Sequence, residues 1–306
     1  MLSMGLSKNY TSLIIPARWF TGDAQDKSFL KLREYLKKKS NISEMHFYED
    51  TSKVFDNVEI KGGICYFLSE NSINETLKFV KYSEDKVVST NRKLFLEGLD
   101  IILTDEYQFN ILEKVKNDKF SPLTNITKGR NAFGIIGKQS AVDEVSEKEF
   151  FDGACELRCK ANQIRYITED KVTKNIELFN RFKIFISKSA GAPHTDKRVI
   201  GEPYIGVRKT ACTDSLIPIG DFDTLEEAEN LQKYIKTKFL RFLVSLVKSS
   251  QNTTQIVYRF VPMQDFTNQS DIDWTKSIDE IDKQLFDKYD LFDEEREHIK
   301  TAIKEM

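Results

Sequence analysis

Apolar residues recur at Leu225, Ala228, Leu231, Ile235, Phe239, Phe242, Leu243 and Leu246. Steps of three and four place them on one stripe, so the pattern predicts a single long amphipathic helix over 224–248. Asp223 or Thr224 can cap it, and Glu227 stands three residues after Thr224, the capping-box spacing. Lys233, Lys236, Arg241 and Lys248 fall largely off the stripe, which predicts a cationic outer surface. Polar residues 249–252 stop the helix. The β-rich run 256–261 then predicts a strand that ends at Pro262.

Upstream of this helix the pattern is mixed. Residues 12–15 form a continuous apolar run broken by Pro16, which suits a parallel strand covered on both faces. Residues 26–38 predict a helix with Phe29, Leu32, Tyr35 and Leu36 inward. Strands follow at 42–48 and 63–68, and this strand–helix–strand texture is that of α/β layering. Further on, 78–82 and 86–90 read as strands and 105–117 as a helix. Residues 129–139, GRNAFGIIGKQ, are a glycine-rich loop. Short strands are predicted at 156–158, 165–167 and 182–187, a loop at 189–203 and a terminal helix from about 278.

Length and charge refine this picture. The chain has 306 residues, room for one large domain or two ordinary ones, and its 40% apolar and 31% charged content is that of a soluble globular protein. No run approaches the roughly 18 apolar residues of a membrane span, and the start MLSMGLSKNYTS lacks signal-peptide features. Four cysteines without a secretion signal predict reduced thiols and a cytoplasmic protein. The net charge of −2 is uneven: residues 267–306 hold 12 Asp/Glu and 6 Lys/Arg, while 181–210 hold 7 basic and 2 acidic residues. A local excess of +5 over 181–210 can neutralise phosphates, or it is a solvated loop surface.

Candidate chemistry is sparse. GRNAFGIIGK (129–138) has neither the P-loop nor the dinucleotide spacing, so it reads as a turn-rich loop near a partner surface. Cys155 and Cys159, with Cys212 and His194, lack a second matched pair for zinc; on a strand, Cys155, Leu157 and Cys159 share one face as core residues. His46, His194 and His298 are the three histidines, and none neighbours a nucleophile pair. Asp143 with Glu147-Lys148-Glu149 does not supply a nuclease E-x-K. Phe55, in the loop VFDNVEIKGG, is a hydrophobic plug or a functional aromatic.

Four stretches read in order carry a resemblance: IIPARWF (14–20), VFDNVEIKGGICYFL (54–68), ACTDSLIPIGDFDTLEEAENLQKYIKTKFLRFLVSLVK (211–248) and VYRFVPMQDF (257–266). Together they resemble type II restriction–modification N6-adenine DNA methyltransferases of the gamma class, which carry a C-terminal specificity domain. The closing DLFDEEREHIKTAI is similar to the usual end of such proteins. The resemblance implies an α/β remnant over 1–74, the last strands of a Rossmann-like methyltransferase domain. It implies an α+β target-recognition domain over 75–266 and leaves 267–306 as an acidic helical extension. The partner it implies is double-stranded DNA, with Phe55 packing against an adenine rotated out of the duplex. Lys188, Lys197, Arg198, Arg208 and Lys209 are the candidates for phosphate or base-edge contacts.

The sequence also departs from that family. Its prolines stand at 16, 122, 193, 203, 218 and 262, so there is no Asn/Asp-Pro-Pro-Tyr loop. The Gly-rich loop that holds S-adenosylmethionine is missing as well. No catalytic residue, cofactor site or metal is therefore expected in this chain, and S-adenosylmethionine belongs to the complete enzyme. The chain is then expected to be a fragment, a truncated gene product, or the partner of a catalytic methyltransferase subunit that supplies the missing motifs. The alternative is a standalone DNA-binding specificity subunit or a methylase-like decoy.

Overall fold

Alternation along the strands decides how the first sheet is built. The computed structural model describes residues 9–22, 26–39, 41–56, 60, 62–83, 86–190 and 196–306. The chain divides into two compact units, one of residues 1–110 with 246–250 and one of 111–245 with 251–306. In the first, β1 (Tyr10–Pro16), β2 (Ile42–Tyr48), β3 (Ile64–Glu70), β4 (Leu77–Tyr82) and β5 (Val87–Arg92) form a sheet in the order β1-β3-β2-β4-β5. β2 and β4 pair in parallel, and the other three pairings are antiparallel. The run at 12–15 is thus not the doubly covered parallel strand its composition predicts. It lies in an edge strand that turns Leu13 and Ile15 to the core and leaves Tyr10 and Ile14 exposed. Three consecutive apolar residues, Leu13 to Ile15, are too few to separate alternation from full burial.

Helix α1 (Ser28–Lys39) packs Phe29, Leu32, Tyr35 and Leu36, the four expected positions, into a core with Met45, Phe67 and Phe79. On the opposite sheet face Tyr48 stacks on Tyr82 with ring centroids 4.1 Å apart, and His46 stacks on Tyr66 at 4.2 Å. His46 Nδ1 lies 3.0 Å from the Tyr82 hydroxyl, and Nε2 lies 2.9 Å from Glu44.

Helix α2 (Glu106–Val115) carries the chain into the second unit, where α3 (Gln139–Val145) follows. Strands β6 (Cys155–Arg158), β7 (Ile164–Ile167) and β10 (Thr210–Cys212) form a sheet in the order β10-β6-β7. A short helix α4 (Ile176–Phe179) precedes β8 (Phe182–Ser187), which pairs antiparallel with both β9 (Tyr204–Gly206) and β11 (Leu216–Phe222). Phe133, Leu157, Phe179, Phe185, Ala211 and Cys212 belong to one buried core cluster.

The single helix predicted over 224–248 is two helices, α5 (Leu225–Lys236) and α6 (Lys238–Ser245). The expected Thr224–Glu227 capping box opens α5. At Thr237 the backbone leaves the helical region with ψ 148°. The interruption is stable because its free amides are satisfied. Asp282 on α7 (Ile278–Lys288) accepts the N–H of Lys238 at 2.8 Å and of Phe239 at 2.9 Å, and Thr237 Oγ1 accepts the N–H of Leu240 at 3.2 Å. The run 256–261 is not a strand either: residues 255–258 form a 3-10 turn that buries Val257 and Tyr258. Helix α8 (Asp293–Ala302) ends the fold. The acidic C-terminal segment contributes to the core through its apolar residues, with Trp274, Ile281, Leu285, Phe286 and Tyr289 buried and Glu295 2.7 Å from the Lys114 ammonium.

The cationic outer surface expected of the long helix does not form. Arg241 is 1% exposed and Lys248 is 3% exposed. Lys233 donates to the Trp274 carbonyl and Lys236 pairs with Glu202. Arg241 donates to the carbonyls of Thr237 (3.1 Å) and Lys304 (2.6 Å). Two further buried cations use carbonyls in the same way. Arg33 reaches those of Trp19 (2.7 Å) and Gly22 (2.6 Å). Lys183 reaches those of Phe179 (3.1 Å), Arg181 (3.0 Å) and Val207 (3.1 Å). Among the described residues no helix is long and apolar enough to cross a membrane.

Asp282→Ala should lower unfolding stability by about 3 kcal/mol, the cost of a lost cap and two unsatisfied amides. Urea denaturation followed by circular dichroism reads this, with Glu305→Ala, at an exposed carboxylate, as the near-neutral control. Burial pushes the Lys183 ammonium down to about 7. The folded chain therefore binds fewer protons than the unfolded one above that pH, so stability contributed here rises as pH goes from about 7 toward 10. Thermal melts of Lys183→Met should show a smaller rise over the same window than those of the wild type.

Candidate nucleic-acid interface

The glycine-rich loop 129–138 and the segment 210–215 meet at Asp214. The connection into the first is held on β11 by the Lys128 N–H bonding the Pro218 carbonyl at 3.0 Å. Ala132, Phe133 and Ile135 are buried and anchor the loop in the core. Gly134 takes φ +85°, and a Cβ there would sit 2.0 Å from Thr173 Oγ1, so the turn requires glycine. Asp214 then fixes the tip from both sides. Its N–H donates to the Ile135 carbonyl at 3.0 Å, and its Oδ1 accepts the Gly137 N–H at 2.7 Å. A Cβ on Gly137 would fall 2.5 Å from Ser215 Oγ. Between these two anchors Ile136 is 56% exposed.

Two cations share the second carboxylate oxygen. Lys188 Nζ lies 3.3 Å and Arg130 Nη2 lies 3.7 Å from Asp214 Oδ2. Burial alone would push the Asp214 carboxyl up, but the Gly137 amide, the Lys188 ammonium and the Arg130 guanidinium outweigh it and hold it below its ordinary value. The Arg130 side chain is 58% exposed and so sits at the surface. Arg130 and Asp214 were not among the candidate contacts. A basic residue and an acidic one more than eighty positions apart carry no joint signal in sequence.

Other candidate cations gather at a second place. Arg208 donates to the Asp223 carbonyl at 2.9 Å, and Lys209 Nζ lies 3.2 Å from Glu169. Arg181 pairs with Asp221 at 3.0 Å and also with Asp223. Lys183 anchors the backbone beneath them, since its carbonyl partners belong to residues 179, 181 and 207. Lys209 itself has φ +58°, and its N–H bonds the Phe179 carbonyl at 2.8 Å. Arg198 forms a two-pronged pair with Asp196 at 3.0 and 2.9 Å, while Lys197 is exposed and its carbonyl accepts the Lys304 N–H. Of the five candidate cations, Lys188, Arg198 and Lys209 each pair with a different carboxylate, Arg208 bonds a main-chain carbonyl, and Lys197 is exposed. Exposed ion pairs of this kind are weak, so a phosphate can compete with the carboxylate.

Phe55 belongs to the first unit. Asp50 caps a 3-10 turn over Thr51–Lys53, and the Phe55 N–H donates to the Thr51 carbonyl at 2.9 Å. Thr51 Oγ1 also accepts the Ile60 N–H at 3.1 Å, which draws the two sides of the loop together. Phe55 is 39% exposed between them. Residues 57–59 and 61 of VFDNVEIKGG lie outside the described residues, as does His194. Cys155, Cys159 and Cys212 are all buried in one apolar cluster, and burial pushes Cys159 up to about 11. No group of three or more potential metal ligands occurs among the described residues.

No family model matches the chain. It is 32% identical over 140 residues to an uncharacterized adenine-specific methylase of Mycoplasma pneumoniae, a match covering 43% of this chain and 33% of that protein. The chain thus spans about a third of the curated relative it matches. Among solved structures, the type IIG restriction endonuclease BpuSI aligns with a TM-score of 0.35 and 12% identity, over 90% of this chain and 42% of that one. The type IIL restriction–modification enzyme MmeI, solved in complex with DNA, aligns with a TM-score of 0.44 and 8% identity, over 82% of this chain and 38% of that one.

Proposed function

We propose that this chain is the duplex-binding, specificity-bearing part of an adenine-specific DNA methylation system. The observation that carries the reading is the 32% identity to an adenine-specific methylase over 140 residues. The surface chemistry is compatible with it: Arg130, Lys188, Arg208 and Lys209 stand on pinned loops, paired with carboxylates or carbonyls that a phosphate can displace. In this reading residues 75–266 form the recognition domain, and Phe55 stacks on the rotated adenine. Stacking fits an aromatic held at a loop tip, because an adenine amino group is out of reach inside a stacked duplex. Methyl transfer needs the Pro-Pro-Tyr and S-adenosylmethionine loops, neither of which this sequence contains. A catalytic methyltransferase part, joined or separate, therefore supplies them.

A gel-shift salt series on duplex DNA tests the reading. Binding should weaken as salt rises, and Arg208→Ala or Lys209→Ala should weaken it evenly across sequences and reduce the log–log salt slope by about 1 each. Absence of duplex binding even at low salt would sink the proposal. Phe55→Ala should leave that slope unchanged and diminish the fluorescence rise of a 2-aminopurine placed at the target adenine, measured with the catalytic part present.

A further inference from the structure

Ile136 is one of several large apolar side chains that stay exposed among the described residues, and what sets it apart is how it is held. It is an aliphatic side chain, 56% exposed, at the tip of a loop whose neighbouring apolar residues Phe133 and Ile135 are 0% and 4% exposed. The tip is rigidly held. Asp214 takes the carbonyl on one side of Ile136 through its own N–H, at 3.0 Å, and the amide on the other side through Oδ1, at 2.7 Å. Gly134 and Gly137 allow the close approach that a Cβ would block. With those flanking polar groups engaged, what the tip offers a partner is an apolar side chain whose position is fixed before binding. The carboxylate that pins this tip also holds the Arg130 guanidinium and the Lys188 ammonium, both within 4 Å of its second oxygen.

Cations held by the carboxylate that fixes an apolar tip fit a particular division of labour on a duplex. Phosphates take the cations and set register, while the apolar group reads the groove. The apolar feature on a base-pair edge in the major groove is the thymine methyl. We infer that Ile136 is a specificity-determining contact to a thymine methyl of the bound duplex, held in place by Asp214, with Arg130 and Lys188 on the flanking phosphates. This inference rests on the duplex-binding reading above.

The test is selection from a duplex library with a randomised core, sequenced after capture by the wild-type chain, Ile136→Ser and Ile136→Val. The wild type and Ile136→Val should enrich the same sequences. Ile136→Ser should lose about tenfold of discrimination at one A·T position, the size of a single base-edge contact, with its salt slope unchanged. Replacing thymine by uracil at that position should cost the wild type the same factor and Ile136→Ser nothing. Equal enrichment by the wild type and Ile136→Ser would overturn the inference, as would wild-type binding without any sequence preference. In the first case the proposed function survives whole; in the second only its duplex binding does. If the wild type captures no duplex, that reading falls, and this one with it. The exposed position makes matching thermal melts the expected control, and Ile136→Val keeps the test decisive if Ile136→Ser melts early.

Discussion

Buried cations bonded to main-chain carbonyls hold the irregular parts of both units. Burying an ammonium or guanidinium is costly unless its N–H groups are satisfied, and a carbonyl satisfies them without burying a second charge. Arg33 closes the turn after β1, Lys183 joins the turn after α4 to the loop after β9, and Arg241 joins the start of α6 to the carbonyl of Lys304. Each staple links segments that carry no regular hydrogen-bond ladder of their own. Wherever these cations fail to reach their carbonyls, both partners are left desolvated.

The same staples mark where the sequence misleads. Regular elements with strong local signals were legible. The helix at 26–38, the strands at 42–48 and 182–187 and the Thr224–Glu227 box all form close to their expected positions. Lys and Arg off an apolar stripe read as solvent-facing, yet Arg241 and Lys248 are buried. For Arg241 the error is physical: a helical wheel assumes that one face packs and the other is wet, whereas α5 and α6 pack against the C-terminal helices; Lys248 lies beyond the end of α6. The break at Thr237 was illegible for a related reason. Its stabiliser, Asp282, lies 44 positions away from Lys238 and signals nothing locally. The β-rich run at 256–261 had no partner strand to pair with, and tertiary context turned it into a 3-10 turn.

Of the candidate site, the residue types were readable but their grouping was not. Lys188, Arg208 and Lys209 stand out as basic residues in a loop-rich segment, while the groups that organise them, the carboxylates of Asp214 and Glu169 and the main-chain carbonyl of Asp223, come from outside that segment. GRNAFGIIGK reads as a loop near a partner surface, and TACTDS carries no motif of its own. Their meeting through Asp214 depends on a carboxylate, two glycines and two cations from three parts of the chain. Nothing in any one part predicts it.

The acidic C-terminal segment has a further meaning for how the molecule comes into being. Lys114 on α2 waits for Glu295, 181 positions later, and the start of α6 waits for Asp282. At roughly 5–20 residues added per second, α2 lacks its partner for on the order of 10–40 seconds of synthesis. Once made, α5 and α6 likewise lack their C-terminal cover until α7 and α8 follow. The second unit thus closes only as its final helices leave the ribosome, and a nascent chain stalled near residue 270 exposes surface that chaperones or proteases can seize.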